Sequence, residues 1–437
     1  MKIGIVLDDS NVGKIDCSKI FEGNPGIGGT LYEELLLAES LVLYSNHECV
    51  LYSTNKNLIL SERISRIHVE NIEKIPNRVK KDNIDILVFT TGKKLSWYNR
   101  ILSLDIPLVA WAHCFINYFE LRQLKKFNNI KKVVFVGKTQ YLSYFADDIF
   151  SKSTYIYNMF DGSKSEKRKN IINNKVCYLG ALNRYKGFHV LARAWPKILE
   201  AIPNAELIVL GKGNLYDNKK KLGSYEISDV KYEKSFIKYL LDKNSKILPS
   251  VHFLGNVGKE KSKIISSCSV GVVNPTGVTE TFCISAIEIE SCGLPVCTAG
   301  KDGLYDTVKE RIHGLYSKNY QQLAANIIEL LKDKDLNFQL GKNGIKNSES
   351  YYPQLIIKDW INLFDNIKEY DTNVNDKNMH VNEDLKLIPY LKILLFYIRK
   401  KIGLKLCPSL IFFDYFCHGM GRVFFRDIFY HITGKDR

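Results

Sequence analysis

The chain has 437 residues, 45% of them apolar and 25% charged, which sets an expectation of two or three domains with a sizeable core and excludes wholesale disorder or a multi-span membrane protein. Lys and Arg number 62 against 47 Asp and Glu, a formal charge of +15, so anionic partners are favoured: phosphates, nucleic acid or an acidic membrane face. The 10 cysteines are scattered with no Cys-x-x-Cys pair, which excludes a zinc ribbon or a small disulfide scaffold and leaves reduced thiols in a cytoplasmic protein as the expectation.

The apolar stretch at the N-terminus is short and runs straight into Asp8 and Asp9, so it reads as a first strand and not as a signal peptide. No apolar run reaches the roughly 18 residues that a spanning helix needs. In chain order, strands are expected over 3–7, 50–52, 86–89, 108–111, 133–136 and 155–157, with helix-length segments between them. That alternation is the mark of βαβ units and a parallel sheet. Residues 161–174, DGSKSEKRKNIINN, break the pattern as a polar linker, and a second strand series follows over 176–179, 207–210, 252–254, 271–273 and 296–298. Two doubly wound α/β domains are therefore expected, with a cleft between the carboxyl ends of their strands. The stretch 214–250 reads as an elaborated insertion with a helical piece near 232–241, and a helix is expected over 355–368.

The segment 274–296, NPTGVTETFCISAIEIESCGLPV, carries the most chemistry. A strand enters a Pro/Thr/Gly loop, Thr281 is placed to cap, and 282–292 reads as a helix stopped by Gly293 and Pro295. A helix N-terminus behind a small-residue loop offers free N–H groups and a positive dipole end to a phosphate. Glu280 sits at that mouth, and Glu288 about 10 Å further along, so two carboxylates can flank a diphosphate and accept hydrogen bonds from hydroxyls at either end. On spacing alone, a loop-closing acid and a solvated helix glutamate are the simpler account of the two.

Glu280, seven residues, Glu288, with Phe282 between them and Gly293-Leu294-Pro295-Val296 following, resembles the E-x7-E element of family 4 retaining glycosyltransferases of the GT-B fold. The segment GALNRYKGF at 180–188 is similar to the family's phosphate-binding block, and Gly28-Gly29-Thr30, leading through Asn46-His47-Glu48 to a strand, is similar to its N-terminal domain. The resemblance covers residues 1 to about 370. It implies an N-terminal Rossmann-like acceptor-side domain over 1–165 completed by a crossing helix at 353–370, and a donor-side domain over 166–352.

The resemblance further implies transfer of a sugar, with retention, from a nucleotide-diphosphate donor to a saccharide or lipid-linked saccharide acceptor in polysaccharide or lipopolysaccharide assembly. No metal and no cofactor is expected. Lys186 would neutralise the leaving diphosphate, Glu280 would hold the donor sugar and His113, just past a strand end, would orient it. Gly28, Gly29, Phe282, Cys283, Ile284 and Glu288 would surround the donor. The family's motif Arg falls on Ala181 here, and Arg184 lies in the same loop to supply a guanidinium; Cys283 stands where the family commonly has Gly. Asn158 reads as structural, near the interdomain hinge, and the Gly211-Lys212-Gly213 turn is a weak signal for the nucleotide side. The alternatives are another GT-B nucleotide-sugar enzyme such as an epimerase, or a carbohydrate- or nucleotide-binding protein without turnover. No RRM, KH or helix-turn-helix signature accompanies the charge, so no nucleic-acid partner is expected.

Residues 371–437 form an appended basic, aromatic-rich tail, expected to be helical. From 381 to 437 it holds 10 basic and 5 acidic residues. Leu387, Ile388, Leu391, Leu394, Leu395, Ile398 and Ile402 fall on one helical stripe with Lys392, Arg399, Lys400 and Lys405 largely elsewhere. That pattern fits peripheral attachment to an anionic inner membrane face and equally fits packing onto the protein.

Overall fold

The computed structural model describes residues 1–369 except 11, 93–94, 146, 170–172, 214–220 and 259. The expectations for the tail beyond 370, and for part of the 214–250 insertion, lie outside the described residues.

The N-terminal half runs β1 (Lys2–Val6), β2 (Ile15–Asp16), α1 (Gly29–Tyr44), β3 (Glu48–Ser53), β4 (Leu58–Ile59), β5 (Ser65–His68), α2 (Ile75–Lys81) and β6 (Ile86–Thr90). It continues through α3 (Leu95–Ile101), β7 (Leu108–Ala112), α4 (Tyr118–Lys126), β8 (Ile130–Phe135), α5 (Lys138–Ser143) and β9 (Ser153–Tyr155). Seven strands make one sheet in the order β5-β3-β1-β6-β7-β8-β9, every pairing parallel. Both faces are covered, so β6 and β7 are buried at all five positions each. That is why they read as unbroken apolar runs and not as alternating ones. β2 and β4 pair apart as a small ribbon.

The second half runs β10 (Lys175–Leu179), α6 (Phe188–Ala201), β11 (Glu206–Leu210), α7 (Val230–Phe236), β12 (Val251–Gly255), α8 (Lys261–Ser266) and β13 (Val270–Val272). It ends with α9 (Ile284–Ser291), β14 (Val296–Thr298), α10 (Leu304–Thr307), β15 (Gly314–Tyr316), α11 (Tyr320–Lys332), α12 (Lys334–Glu349) and α13 (Pro353–Glu369). Its sheet is also parallel, in the order β12-β11-β10-β13-β14-β15. α9 lies tightly on this sheet: a Cβ at Gly271 would sit 2.3 Å from Ile289.

Two segments cross between the halves. The Phe160 N–H donates to the Tyr351 carbonyl at 2.8 Å, and α13 then returns its Trp360, fully buried, to within 4.9 Å of the Trp111 ring on β7. Helix α13 starts two residues before the expected 355, with Pro353 as its first residue, where a proline costs no hydrogen bond.

Three differences from the sequence reading have simple causes. Strands β5 and β15 were not expected, because SRIH is mostly exposed at a sheet edge and GLY is only three residues long. The polar segment after 161 is not a bare linker: the Arg168 N–H donates to the Cys292 carbonyl at 2.9 Å, and the Lys167 ammonium reaches the Ser291 carbonyl at 2.5 Å. Burial lowers the Arg168 pKa to about 10. Lastly, α9 begins at Ile284 and not at 282, because Thr281 does not cap it; the Thr281 hydroxyl instead donates to the His113 carbonyl at 2.6 Å. No described helix is long and apolar enough to cross a membrane.

Candidate functional site

Each sheet starts in its middle, builds outward on one side and then restarts on the other, so strand order reverses between β1 and β6 and between β10 and β13. Connections diverge at such points and leave a crevice beyond the strand ends, where α/β sheets take their ligands. The loop after β10 carries Lys186, and the loop after β13 carries Asn274 and Glu280.

The Lys186 turn is made by its own sequence. The Asn183 side chain accepts from the Tyr185 and Lys186 N–H groups at 3.0 Å each, and the Tyr178 hydroxyl donates to the Lys186 carbonyl at 2.8 Å. Gly187 closes the turn at φ +73°, and a Cβ there would lie 2.8 Å from Thr276, so glycine is required. The Lys186 ammonium is then 2.8 Å from Glu280 Oε2, which also accepts from the Asn274 amide at 2.7 Å. Glu280 is 5% exposed; a buried carboxylate held by a cation and an amide is a fixed feature of the site. Arg184 shares the turn but is exposed, and its charge acts on His189 and Tyr232 of α6 and α7. The cation bonded to Glu280 is Lys186. Ala181 is buried. Gly211, part of the weak Gly-Lys-Gly signal, has a packing role: a Cβ there would fall 2.0 Å from the Gly180 carbonyl oxygen.

His113 follows β7 directly. Its ring lies 4.4 Å from that of Trp111, and its carbonyl takes the Thr281 hydroxyl from the other domain. Burial pushes the adjacent Cys114 thiol up, and the Thr281 bond sets this strand end against the residue that follows Glu280.

Glu288, on α9, is held 2.5 Å from the ammonium of Lys261 on α8. The two line a cavity of about 110 Å³ with Gly258, Asn24, Pro25 and Asp161. Between the two ion pairs lies the start of α9. Phe282 itself packs between Tyr157 and Tyr351, ring centroids 5.8 and 5.4 Å away, so its ring belongs to the crossing region and only its backbone is left to a ligand. Cys283 occupies the N-cap position without a side-chain cap bond, and Ile284 opens the helix. Burial pushes the Cys283 thiol up, removing it as a charged group. Across the cleft, Gly28 precedes α1 at φ −61°. A Cβ on Gly28 or Gly29 would meet nothing within 4 Å, so neither glycine is demanded by packing and the space beside the first N–H groups of α1 is open.

Lys261, Asn274 and the Thr281 contact to His113 were not singled out from sequence. Lys261 is 27 residues from its partner and no spacing marks the pair. Asn274 stands in the motif loop at φ +30°, a conformation in which Asn is favoured, and this was a readable signal. Among the described residues no three His, Cys, Asp or Glu side chains gather as a metal site.

Residues 162–347 match the sequence model of the family described as Glycosyl transferases group 1. An uncharacterized glycosyltransferase of Methanocaldococcus jannaschii is 29% identical over 192 residues, 43% of this chain and 44% of the relative. The N,N'-diacetylbacillosaminyl-diphospho-undecaprenol alpha-1,3-N-acetylgalactosaminyltransferase of Campylobacter jejuni is 25% identical over 27% of this chain and 31% of the relative. The chain thus spans less than half the length of these two. A solved structure of Anabaena HepE, in complex with UDP-glucose, superposes with a TM-score of 0.63 at 16% identity, covering 84% of this chain and 99% of that one. The molecule has the GT-B fold, two Rossmann-like domains facing a cleft, and its second domain carries the sequence pattern of the group 1 glycosyl transferases.

Proposed function

We propose that the protein is a retaining, metal-independent glycosyltransferase that moves a sugar from a nucleotide-diphosphate donor to a lipid-linked saccharide in polysaccharide or lipopolysaccharide assembly. The observation that carries this reading is the start of α9, partly exposed at Ile284, bracketed by two lysine-held carboxylates, Glu280 with Lys186 and Glu288 with Lys261. The diphosphate lies between Gly28-Gly29 and the Cys283–Ile284 backbone, where N–H groups and the helix dipole favour negative charge. Glu288 accepts from the ribose hydroxyls. Glu280 Oε2 is occupied by Lys186 and Asn274, and its second oxygen is the one assigned to the sugar hydroxyls.

His113 orients the sugar from the opposite domain. As the bond from the anomeric carbon to phosphate breaks, the electron pair leaves with the diphosphate, and Lys186 stabilises the charge that grows there. The acceptor hydroxyl attacks from the same face and gives its proton to the departing phosphate. The reading of the acceptor is supported by the diphospho-undecaprenol substrate in the name of the Campylobacter jejuni relative, and that of the donor by UDP-glucose in the Anabaena structure. Residues 381–437 attach the enzyme to an anionic inner membrane face; salt-sensitive flotation with anionic vesicles, lost when the chain ends at 369, tests that part.

The test of the function is nucleotide release from UDP- and GDP-sugars with and without a saccharide acceptor. Acceptor-dependent release supports transfer. Conversion of the donor without an acceptor points to an epimerase, and binding without any release in either condition points to a non-catalytic protein.

A further inference from the structure

Helix α9 has two charged side chains, Glu288 and Glu290. At 3.6 residues per turn, residues two apart point to opposite sides of a helix, and these two do. Glu288 meets Lys261 beside the cavity, while Glu290 is fully buried on the other side. Its Oε1 lies 2.6 Å from Nδ1 of His313, itself buried just ahead of β15, and its Oε2 accepts from the Asn347 amide on α12 at 2.7 Å. The same amide nitrogen donates to the Thr307 carbonyl on α10 at 3.1 Å. α12 passes close at this point, since a Cβ at Gly344 would lie 3.2 Å from the Cβ and Cγ of Glu290. His313 is placed in turn by β14, whose Val296 N–H donates to its carbonyl at 3.3 Å. Burial raises the Glu290 carboxyl above its ordinary value, against the pull of its bonds to His313 and Asn347.

A buried carboxylate and imidazole add little to stability, because taking both out of water offsets most of their attraction, and apolar side chains of the same size often hold a core as well. What the pair supplies is direction. The rest of the buried face of α9 is Ala286, Ile287 and Ile289, whose packing is non-directional, and the N-cap position makes no side-chain bond. The bond from Glu288 to Lys261 is directional, but Glu288 is the group that the ribose engages. We propose that Glu290 and His313 are positioning residues for nucleotide binding: together with Asn347 they fix α9 in place, so that its first N–H groups stay on the diphosphate while Glu288 takes the ribose hydroxyls. The inference rests on the glycosyltransferase reading above. Both residues act through the helix. The nucleotide is held in the ground state as well as in the transition state, so the pair sets donor affinity and KM, whereas Lys186 sets kcat. His313 Nε2 is buried with no hydrogen-bond partner among the described residues, so Nδ1 is the atom of the ring that matters, and an asparagine in its place keeps a nitrogen donor on the same carbon.

Two variants of the full chain test this. Glu290→Met/His313→Leu replaces the pair by apolar side chains of similar size and leaves Asn347 its bond to Thr307, and His313→Asn keeps the donor. UDP and GDP are titrated calorimetrically into both and into wild type, alongside thermal unfolding and steady-state kinetics with the sugar donor. The double variant should unfold close to wild type, bind the nucleotide at least about tenfold more weakly, the equivalent of about 1.4 kcal/mol, and raise the donor KM by a similar factor with kcat little changed. His313→Asn should keep the wild-type affinity and KM. Wild-type affinity in the folded double variant overturns the inference and leaves the pair a purely structural element. So does a loss of affinity that His313→Asn shares, or an effect confined to kcat. If the double variant does not fold, His313→Leu, which leaves Asn347 on Glu290, takes its place against the same outcomes. The two readings fail separately: nucleotide binding and sugar transfer that ignore the pair leave the function standing and remove this inference alone, whereas a wild type that binds neither UDP nor GDP removes the glycosyltransferase reading of α9 and this inference with it.

Discussion

The two ends of the cleft are built differently. The Glu288–Lys261 pair lies wholly in the C-terminal domain, on α9 and α8. The Glu280–Lys186 pair is in the same domain, but its loop is tied to the other one through Thr281 and His113, and the Glu280 carbonyl takes the Gly303 N–H just ahead of α10, whose Asp306 reaches across to Thr139. One ion pair is therefore made within a single domain, with Asn24 and Pro25 of the other domain only lining the cavity beside it, whereas the loop of the other pair is bonded directly across the domain boundary. On the proposed reading, the sugar end therefore depends more on the domain contact than the nucleotide end does.

The largest effect expected from this division is on turnover. Lys186→Ala should lower the rate of sugar transfer roughly 100-fold while changing donor affinity little, because its charge matters most when the phosphate leaves; steady-state kinetics with separate measurement of donor binding checks this.

The next effect is on the domain contact itself. Burial raises the Asp306 carboxyl to about 6 from its ordinary 3.8, so between about pH 4 and 6 the folded protein binds more protons than the unfolded one. The stability contributed by this group is fully present below about pH 4 and is lost as the pH rises through 6. Asp306→Asn, neutral at all pH and still able to accept from Thr139, should therefore be increasingly more stable than wild type from pH 4 to pH 7, by the equivalent of about 2 kcal/mol. Thermal unfolding of both proteins over that range measures it. A constant difference across the range would show that Asp306 does not titrate there.

A smaller effect is expected at Glu280. Glu280→Gln should leave UDP affinity unchanged and weaken the intact sugar donor by about tenfold, since one charged acceptor is replaced by a neutral one. The smallest is at Gly28, where added bulk meets no neighbour. Gly28→Ala should change stability by under about 0.5 kcal/mol and reduce UDP affinity a few-fold, because only a ligand that approaches the backbone closely would notice the methyl group. Unchanged affinity would make Gly28 a plain turn residue.

Most of the fold was legible because parallel strands buried on both faces write themselves as apolar runs, as β6 and β7 do. Edge strands were not, since SRIH in β5 has neither an apolar run nor a clear alternation. At the site, the carboxylates and Lys186 could be picked out because they fall within two short motifs. Their partners were hidden: Lys261 meets Glu288 from another helix, and the hydroxyl of Thr281, which resembles a helix cap in sequence, is directed across the domain boundary. Phe282 looked like a donor contact by position, yet packs with Tyr157 and Tyr351, because an aromatic ring beside two others gains more from burial than from facing an open cleft.

In the proposed function a nucleoside diphosphate lies along α9 with its ribose at Glu288. Calorimetric titration of UDP and GDP into wild type and Glu288→Ala tests it most directly. Wild type should bind at least one of the two, and the variant should bind that nucleotide about tenfold or more weakly, the cost of one charge-assisted hydrogen-bond acceptor. Binding of neither nucleotide by wild type, or equal affinity in the two proteins, would contradict it.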